Sequence, residues 1–508
     1  MAVHTLSLWL LFLLLLALPL YFLLKRKLEV KKQNHLLPPG PPKFPFIGNL
    51  HQFGELPHQS MWQLSEKYGP VMLLQLGRMR AVIISSAEAA KEVLKVNDLA
   101  CSSRPNFAAT GRLSYNYLDV AFTPYGDYWR EIRKIVVLEL LSLKRVQSFH
   151  FIREEEVDSL INSISLSSSS AVPVNLTKMI YDLTANITLR MSFGFSHRGT
   201  NNFDREGFHE VVHEADELLA NLSADEYLPC LGWIIDRMNG HHARMERAFL
   251  RLDTFFQRVI DDHLKPGREE AHEDVIDVLL RIEKEQAGSG TQFTKDNIKA
   301  VLMNLFLAGV DTSAVVVNWA MAELVRNPRL MKKAQEEIRK CVGKKGKVTH
   351  CEIDQLYYLN MVIKETLRLH PPGPLLLPRK TMSHCRINGY DIPPNTLIHI
   401  NAWVIGRDPR YWKDPLEFIP ERFANSSVDF KGQSFEFLPF GGGRRICPGV
   451  HVATATMQIA LANLLYCFDW KPPSGMKEED IRMEERTGFS LTVARREDLI
   501  LVPVKHLE

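Results

Sequence analysis

The chain has 508 residues, 24% of them charged, and a formal net charge of +3. That near-neutral balance excludes a dedicated nucleic-acid binder, which concentrates cations on one face. Its seven cysteines are odd in number, widely spread and form no Cys-x-x-Cys pair. This argues against a disulfide scaffold or structural zinc site and suits a reducing compartment.

From Thr5 to Leu24 no charge interrupts an apolar run, and about 20 such residues cross a bilayer. Lys25, Arg26, Lys27, Lys31 and Lys32 follow it. Cations after the run, not before it, predict a retained anchor with the body in the cytosol. The expected division is a transmembrane anchor over 1–24, a basic and Pro-rich linker over 25–43, and one body over 44–508. The sequons at Asn175, Asn186 and Asn221 then face away from the glycosylation machinery. In LLPPGPPKFPFIGNL (36–50) prolines fix φ and predict a stiff spacer, with Phe44, Phe46 and Ile47 offering apolar surface for the body to bury.

Two β-branched-rich runs around Gly77, GPVMLLQLGRMRAVIISS, predict a hairpin. SISLSSSSA (163–171) reads as a surface loop. Most of the rest has helical patterning, so the fold class is mainly α with a small β-rich subdomain. One helix stands out. Thr294 caps it, Asp296 occupies its first turn, and Asn327-Pro328 ends it. At 1.5 Å per residue it is a rod of about 48 Å. Ala308, Gly309, Asp311 and Thr312 interrupt its apolar middle. Two readings stay open. Thr312 bonds back to the Ala308 carbonyl while Asp311 finds a cation, or Gly309 opens the groove to a ligand while Thr312 and Asp311 handle protons.

The stretch PFGGGRRICPG (439–449) sets a single cysteine behind three glycines and two arginines. Glycines let backbone lie against a flat body, and Arg445 can reach an anionic edge. The following VHVATATMQIALANLLYC reads as a helix, so Cys447 stands at a helix N-terminus that favours a thiolate. A phosphate loop is excluded, because position 446 is Ile446 and no Gly-Lys-Ser/Thr follows. A lone thiolate on a glycine platform suits an axial ligand to haem iron.

Phe440, Gly443, Arg445, Cys447 and Gly449 match the Phe-x-x-Gly-x-Arg-x-Cys-x-Gly signature of cytochromes P-450, and the chain resembles a plant A-type member of the seventy-one clan over essentially its whole length. AGVDTS (308–313), KETLRLHPP (364–372), PERF (420–423) and WREIR (129–133) support the resemblance in order. It implies the cytochrome P-450 fold, haem b, and an endoplasmic-reticulum enzyme using O2 and an NADPH-cytochrome P-450 reductase on a lipophilic small molecule. It also implies that Cys447 ligates the iron and that Trp129, Arg133, Arg379, Arg445 and, as a further candidate, Arg104 hold the propionates. Thr312 and Asp311 would deliver protons, and Glu365, Arg368 and Arg422 would form a network behind the haem. Many relatives carry Asp where Asn304 stands, so Asn304 is expected to face the distal pocket, either touching substrate or packing. Substrate walls are expected from loop 106–120, the neighbourhood of Asn304 and Ala308, residues 374–378 and Gly488–Leu491, with Phe107, Leu375, Leu376, Leu377, Phe489 and Leu491 apolar. Arg130, Lys134 and Arg444 are expected to form a cationic docking patch.

Overall fold

The computed structural model describes residues 36–168, 172–194, 205–220, 223–228, 231–266, 272–286 and 293–506. The expected anchor, most of the linker and Asn221 lie outside them.

The predicted hairpin is β1 (Val71–Leu76) and β2 (Met79–Ile84), paired antiparallel from Val71↔Ile84 to Leu76↔Met79 around Gly77 at φ +54°. Alternation in a strand sends neighbouring side chains to opposite faces. Here both faces are covered. Val71, Val82 and Ile84 join one apolar cluster, while Met72, Leu74, Ala81 and Ile83 join another. The other strands are β3 (Val174–Asn175), β4 (Arg379–Lys380), β5 (Cys385–Ile387), β6 (Tyr390–Ile392), β7 (Leu397–Ile400), β8 (Phe468–Lys471) and β9 (Ile500–Lys505). They form sheets ordered β1-β2-β7-β4, β3-β9-β8 and β5-β6, with β7 parallel to β2.

Eight helices frame the interior: α1 (Asp127–Ile135), α2 (His150–Ser168), α3 (Leu176–Phe193), α4 (Arg205–Ala220), α5 (His241–His263), α6 (Lys295–Arg326), α7 (Tyr357–Leu369) and α8 (Val450–Cys467). The rod α6 has its predicted bounds. Asn297 returns its side chain to the Thr294 N–H at 2.7 Å, satisfying one donor that a helix start leaves orphaned. Almost every residue from Ser313 to Val325 is buried. Trp319, 1% exposed, stacks on His370 at 4.0 Å and donates to the Val493 carbonyl. Burying a side chain that large contributes upwards of about 2 kcal/mol. It also ties the rod to the C-terminal loop.

Two local expectations change. Phe44 and Phe46 are not buried but 58% and 87% exposed, because the prolines before them supply the attachment instead. The Pro39 carbonyl accepts from Leu73, and Asn49 donates to Pro41 and Pro42, laying the segment from Leu36 on along β1. The serine run is not a loop as far as Ser168. It forms the last turns of α2, with Ile164 buried beneath it. Among the sequons, Asn175 caps α3 and Asn186 lies within it, donating to Glu156.

Candidate functional site

The Cys loop is shaped by its glycines. Gly441 and Gly443 have φ of +70° and +65°, where side chains are strained. A Cβ on Gly443 would stand 2.4 Å from the Leu94 carbonyl oxygen and 2.5 Å from Asp98 Oδ1. The close approach of the 94–98 segment by itself requires a glycine here. The Cys447 N–H donates to the Phe440 carbonyl at 3.0 Å, and a 3-10 turn over Gly443–Arg445 closes the loop. The Cys447 side chain is half-buried, directly before α8. Burial pushes its thiol up, while the Gly449 N–H and the Arg133 charge pull it down. The predicted helix N-terminus is thus present, and burial outweighs its pull on the thiol.

Four arginines converge beside this loop. Arg445 donates to the carbonyls of Ser102 and Thr123 at 2.8 and 2.7 Å and lies 4.0 Å from the Trp129 ring. Arg104 donates to Ala121, Leu377 and Pro378, and Arg379 to Gly442. Arg133, on α1, reaches the Ile446 carbonyl at 2.6 Å, and Trp129 donates to Val120. All five residues expected at the propionate edge are brought together. Burial and the neighbouring Arg379 and Arg133 lower Arg445 to about 9. Burial, then Arg445 and Arg379, hold Arg104 well below the usual range. Two carboxylates act on the cluster, Asp98, bonded to Arg379 at 3.2 Å, and Asp119. Four guanidinium groups against these two leave a cationic excess beside a thiol, and a flat ligand with a pair of carboxylates on one edge satisfies it.

Across from the Cys loop, α6 turns an accessible face inward. Ala308 is exposed although Phe306 and Val310 are fully buried, and Leu305, Leu307, Asp311 and Thr312 are half-buried. Val452, in the first turn of α8, packs against the same cluster as Phe306 and Val310. The Thr312 hydroxyl returns to the Ala308 carbonyl at 2.7 Å. Gly309 does not open a groove. A Cβ there would meet Thr188 Oγ1 at 2.8 Å, so this glycine serves the crossing of α3 over α6, reinforced where Thr184 donates to the Val310 carbonyl. For Asn304 the structure favours packing over substrate contact. Its Oδ1 accepts from the Val120 and Ala121 N–H, and its Nδ2 donates to Asp119 at 2.8 Å, pinning the 119–123 loop.

The expected apolar walls divide. Leu377 and Leu491 border the cluster around α6. Phe107 and Leu375 pack beneath β1 and β2, Leu376 sits 3.6 Å from where a Gly441 Cβ would be, and Phe489 is 47% exposed. Behind the Cys loop the predicted network is present. Glu365 and Arg368 pair at 2.7 Å with side chains 0% exposed, and Arg422 Nε joins Glu365 at 2.9 Å. The docking-patch residues are less free than expected. Arg130 pairs with Asp127 and Arg444 lies 3.5 Å from Asp98, while Lys134 is exposed.

Sequence reasoning missed the clasps that hold the distal loops. Asp216 on α4 accepts from the Ser490 hydroxyl and the N–H groups of Leu491 and Thr492. Glu226 accepts from the Ala108 N–H at 2.6 Å, at the start of the short helix Ala108–Leu113. Arg112 pairs bidentately with Glu246, and Tyr115 with Asp253, on α5. Three successive non-glycine residues, Tyr115, Asn116 and Tyr117, have φ of +52°, +62° and +65°. No local motif announces such long-range pairs.

Residues 38–498 match the profile described as Cytochrome P450. Cytochrome P450 71B34 of Arabidopsis thaliana is 54% identical over 472 residues, 93% of this chain and 94% of its own length. Cytochrome P450 71B36 of the same plant is 52% identical over 480 residues, 94% of this chain and 95% of its own. Two zebra fish cytochrome P450 structures, with abiraterone and with progesterone, superpose with TM-scores of 0.74 and 0.75 at 24% identity. They cover 90% and 88% of this chain, with 100% and 99% of their own, and they share its fold. The chain therefore belongs to the cytochrome P450 family, as a plant seventy-one-type haem-thiolate monooxygenase that binds haem b and takes O2, a small-molecule substrate and a redox partner.

Proposed function

We propose that this chain oxidises a lipophilic plant specialised metabolite, by hydroxylation or a related oxidation, with electrons from NADPH-cytochrome P-450 reductase. Terpenoids are the first substrate class, then alkaloids and phenylpropanoid or lignan compounds. The carrying observation is the pairing of the arginine cluster and Cys447 on one side with the accessible, largely apolar α6 face on the other. When bound, the haem iron supplies the O2 activation that no side chain can.

The chain's own residues do the rest. Cys447 would hold the haem iron through its sulfur as a thiolate. Arg104, Arg133, Arg379, Arg445 and the Trp129 N–H hold the propionate edge, exchanging backbone carbonyls for carboxylates, a stronger charge-assisted pairing. Thr312 holds a proton at Oγ1 near the reacting oxygen, with Asp311 as its supply through water. Leu377, Leu491 and the Ala308 face orient an apolar substrate and exclude water. Residues 1–24 anchor the body to the endoplasmic-reticulum membrane. Lys134 and Arg444 face the reductase, and charge reversal there slows reductase-driven turnover while peroxide-driven turnover stands.

The test is a microsomal screen of these metabolite classes with and without NADPH and reductase. Product that requires both supports the reading; product without either supports a peroxide-rearranging isomerase or dehydratase. Cys447→Ser should abolish the red-shifted reduced-carbonyl absorption band, and an unchanged band overturns the ligand assignment. Thr312→Ala should keep haem and substrate binding while diverting electrons to peroxide; unchanged coupling leaves Thr312 a helix-packing residue.

A further inference from the structure

Cys101 and Cys385 lie 284 residues apart in sequence, yet their sulfurs stand 3.8 Å from each other. Both are free thiols, 0% and 6% exposed. The backbones that carry them are already held side by side. Ser103 bridges Lys380 antiparallel, the Lys380 N–H donates to the Ser103 carbonyl and the Met382 N–H to the Ala100 carbonyl, each at 2.8 Å. On the other flank Asn97 Nδ2 donates to the Arg386 carbonyl at 2.8 Å. With anchors on both sides, closing the sulfurs to the roughly 2.05 Å of a disulfide requires side-chain rotation and little backbone motion.

We propose that Cys101 and Cys385 form an oxidation site at which hydrogen peroxide produces an internal disulfide. The two thiols are not equivalent. The hydrogen bond between them, together with burial, pushes Cys101 up, whereas accepting that bond draws Cys385 down against its own burial. Cys385, the more accessible of the two, is the first nucleophile. Its thiolate attacks one peroxide oxygen, the O–O bond breaks, and hydroxide leaves to become water. The Cys101 sulfur then attacks the resulting sulfenic sulfur, the S–S bond forms, and the second oxygen leaves as water with the Cys101 proton. Two thiols and one H2O2 give one disulfide and two waters; sulfur loses two electrons and the peroxide oxygens gain them. The bond staples β5 to the 97–104 segment, which carries Asp98, Ser102 and Arg104 beside the arginine cluster.

The experiment treats the purified ferric holoenzyme with a few equivalents of hydrogen peroxide, and in a parallel arm with diamide. Free thiols are then alkylated on unfolding and the chain is digested with trypsin without reductant. The expected product is a linked pair of peptides, 96–112 with 381–386, two hydrogen masses below their sum, in both arms. Oxidation should raise the Tm of the parent by a few degrees, because a long loop is closed. Cys385→Ser and Cys101→Ala should show neither change while keeping the reduced-carbonyl band. Recovery of both cysteines as separately alkylated or overoxidised peptides overturns the proposal, as does linkage of either one to Cys341 or Cys351.

Discussion

The two sides of the site are held in different ways. On the Cys side, order comes from backbone: glycines at positive φ, a 3-10 turn, and arginines spent on carbonyls within a few segments. On the α6 side, order comes from single side chains reaching across the chain, as in Asn304 to the 119–123 loop, Asp216 to Ser490 and Glu226 to Ala108. A backbone-set region tolerates no partial failure, because its conformation and its contacts fail together. A side-chain-clasped region loosens one loop at a time, which suits a surface that must admit substrate.

The sharpest way to break this comparison is Arg368→Ala. It takes one of two arginines from the fully buried Glu365 carboxylate, which keeps Arg422 and the Ile419 N–H, and breaking such a buried pair costs up to about 3–5 kcal/mol. Denaturant unfolding should show that loss together with poor haem retention, and a loss under about 1 kcal/mol would contradict a network essential to the Cys side. Asn304→Leu comes next. It leaves the Val120 and Ala121 N–H groups unsatisfied, at about 1–3 kcal/mol each before relaxation, and takes one donor from Asp119, which keeps Phe122 and Thr123. Hydrogen exchange should accelerate over 117–123 and stay unchanged over 440–449; acceleration in both would erase the contrast.

Asp216→Asn weakens a clasp without emptying the space. Stopped-flow binding of 4-phenylimidazole to the ferric enzyme should then be severalfold faster in both directions, with little change in Tm. Equal rates would make the clasp mere packing. The smallest effect belongs to Glu226. Burial, helped by Asp236 and opposed by the Ala108 N–H, raises its carboxyl to about 7 from an ordinary 4.5. The folded state thus holds a proton that the unfolded state releases, so its contribution is complete below pH 4.5 and is lost as pH rises towards 7. Glu226→Gln should flatten the pH dependence of Tm across that window and raise Tm modestly at pH 8.

The same contrast explains what the sequence disclosed. The Cys loop, the α6 rod and the β1–β2 hairpin are written in contiguous residues whose conformational demands are local, whereas Arg422 lies 57 positions from Glu365 and was legible only through the resemblance. Asn304 was placed on the correct helix with its role open between substrate contact and packing, since nothing near it in sequence points to Asp119, 185 positions away. Gly309 was left open for a related reason. A missing side chain is visible in sequence, but the neighbour that requires its absence is not. Phe44 and Phe46 mislead because apolar character predicts burial only where another surface is available, and the prolines had already taken the sheet edge.

The crossing of α3 over α6 at Gly309 and Thr188 fixes a volume as a sum. Neither residue alone is specified; what the two helices require is that their combined bulk not exceed a hydrogen plus a threonine side chain. A methyl added at 309 should therefore be tolerated when one is subtracted at 188, and cousins of this chain are expected to trade that methyl between the two positions. Where such a trade is found, it reports helix spacing conserved through changing letters, and so marks the distance between α3 and the proton-handling turn of α6 as the inherited quantity.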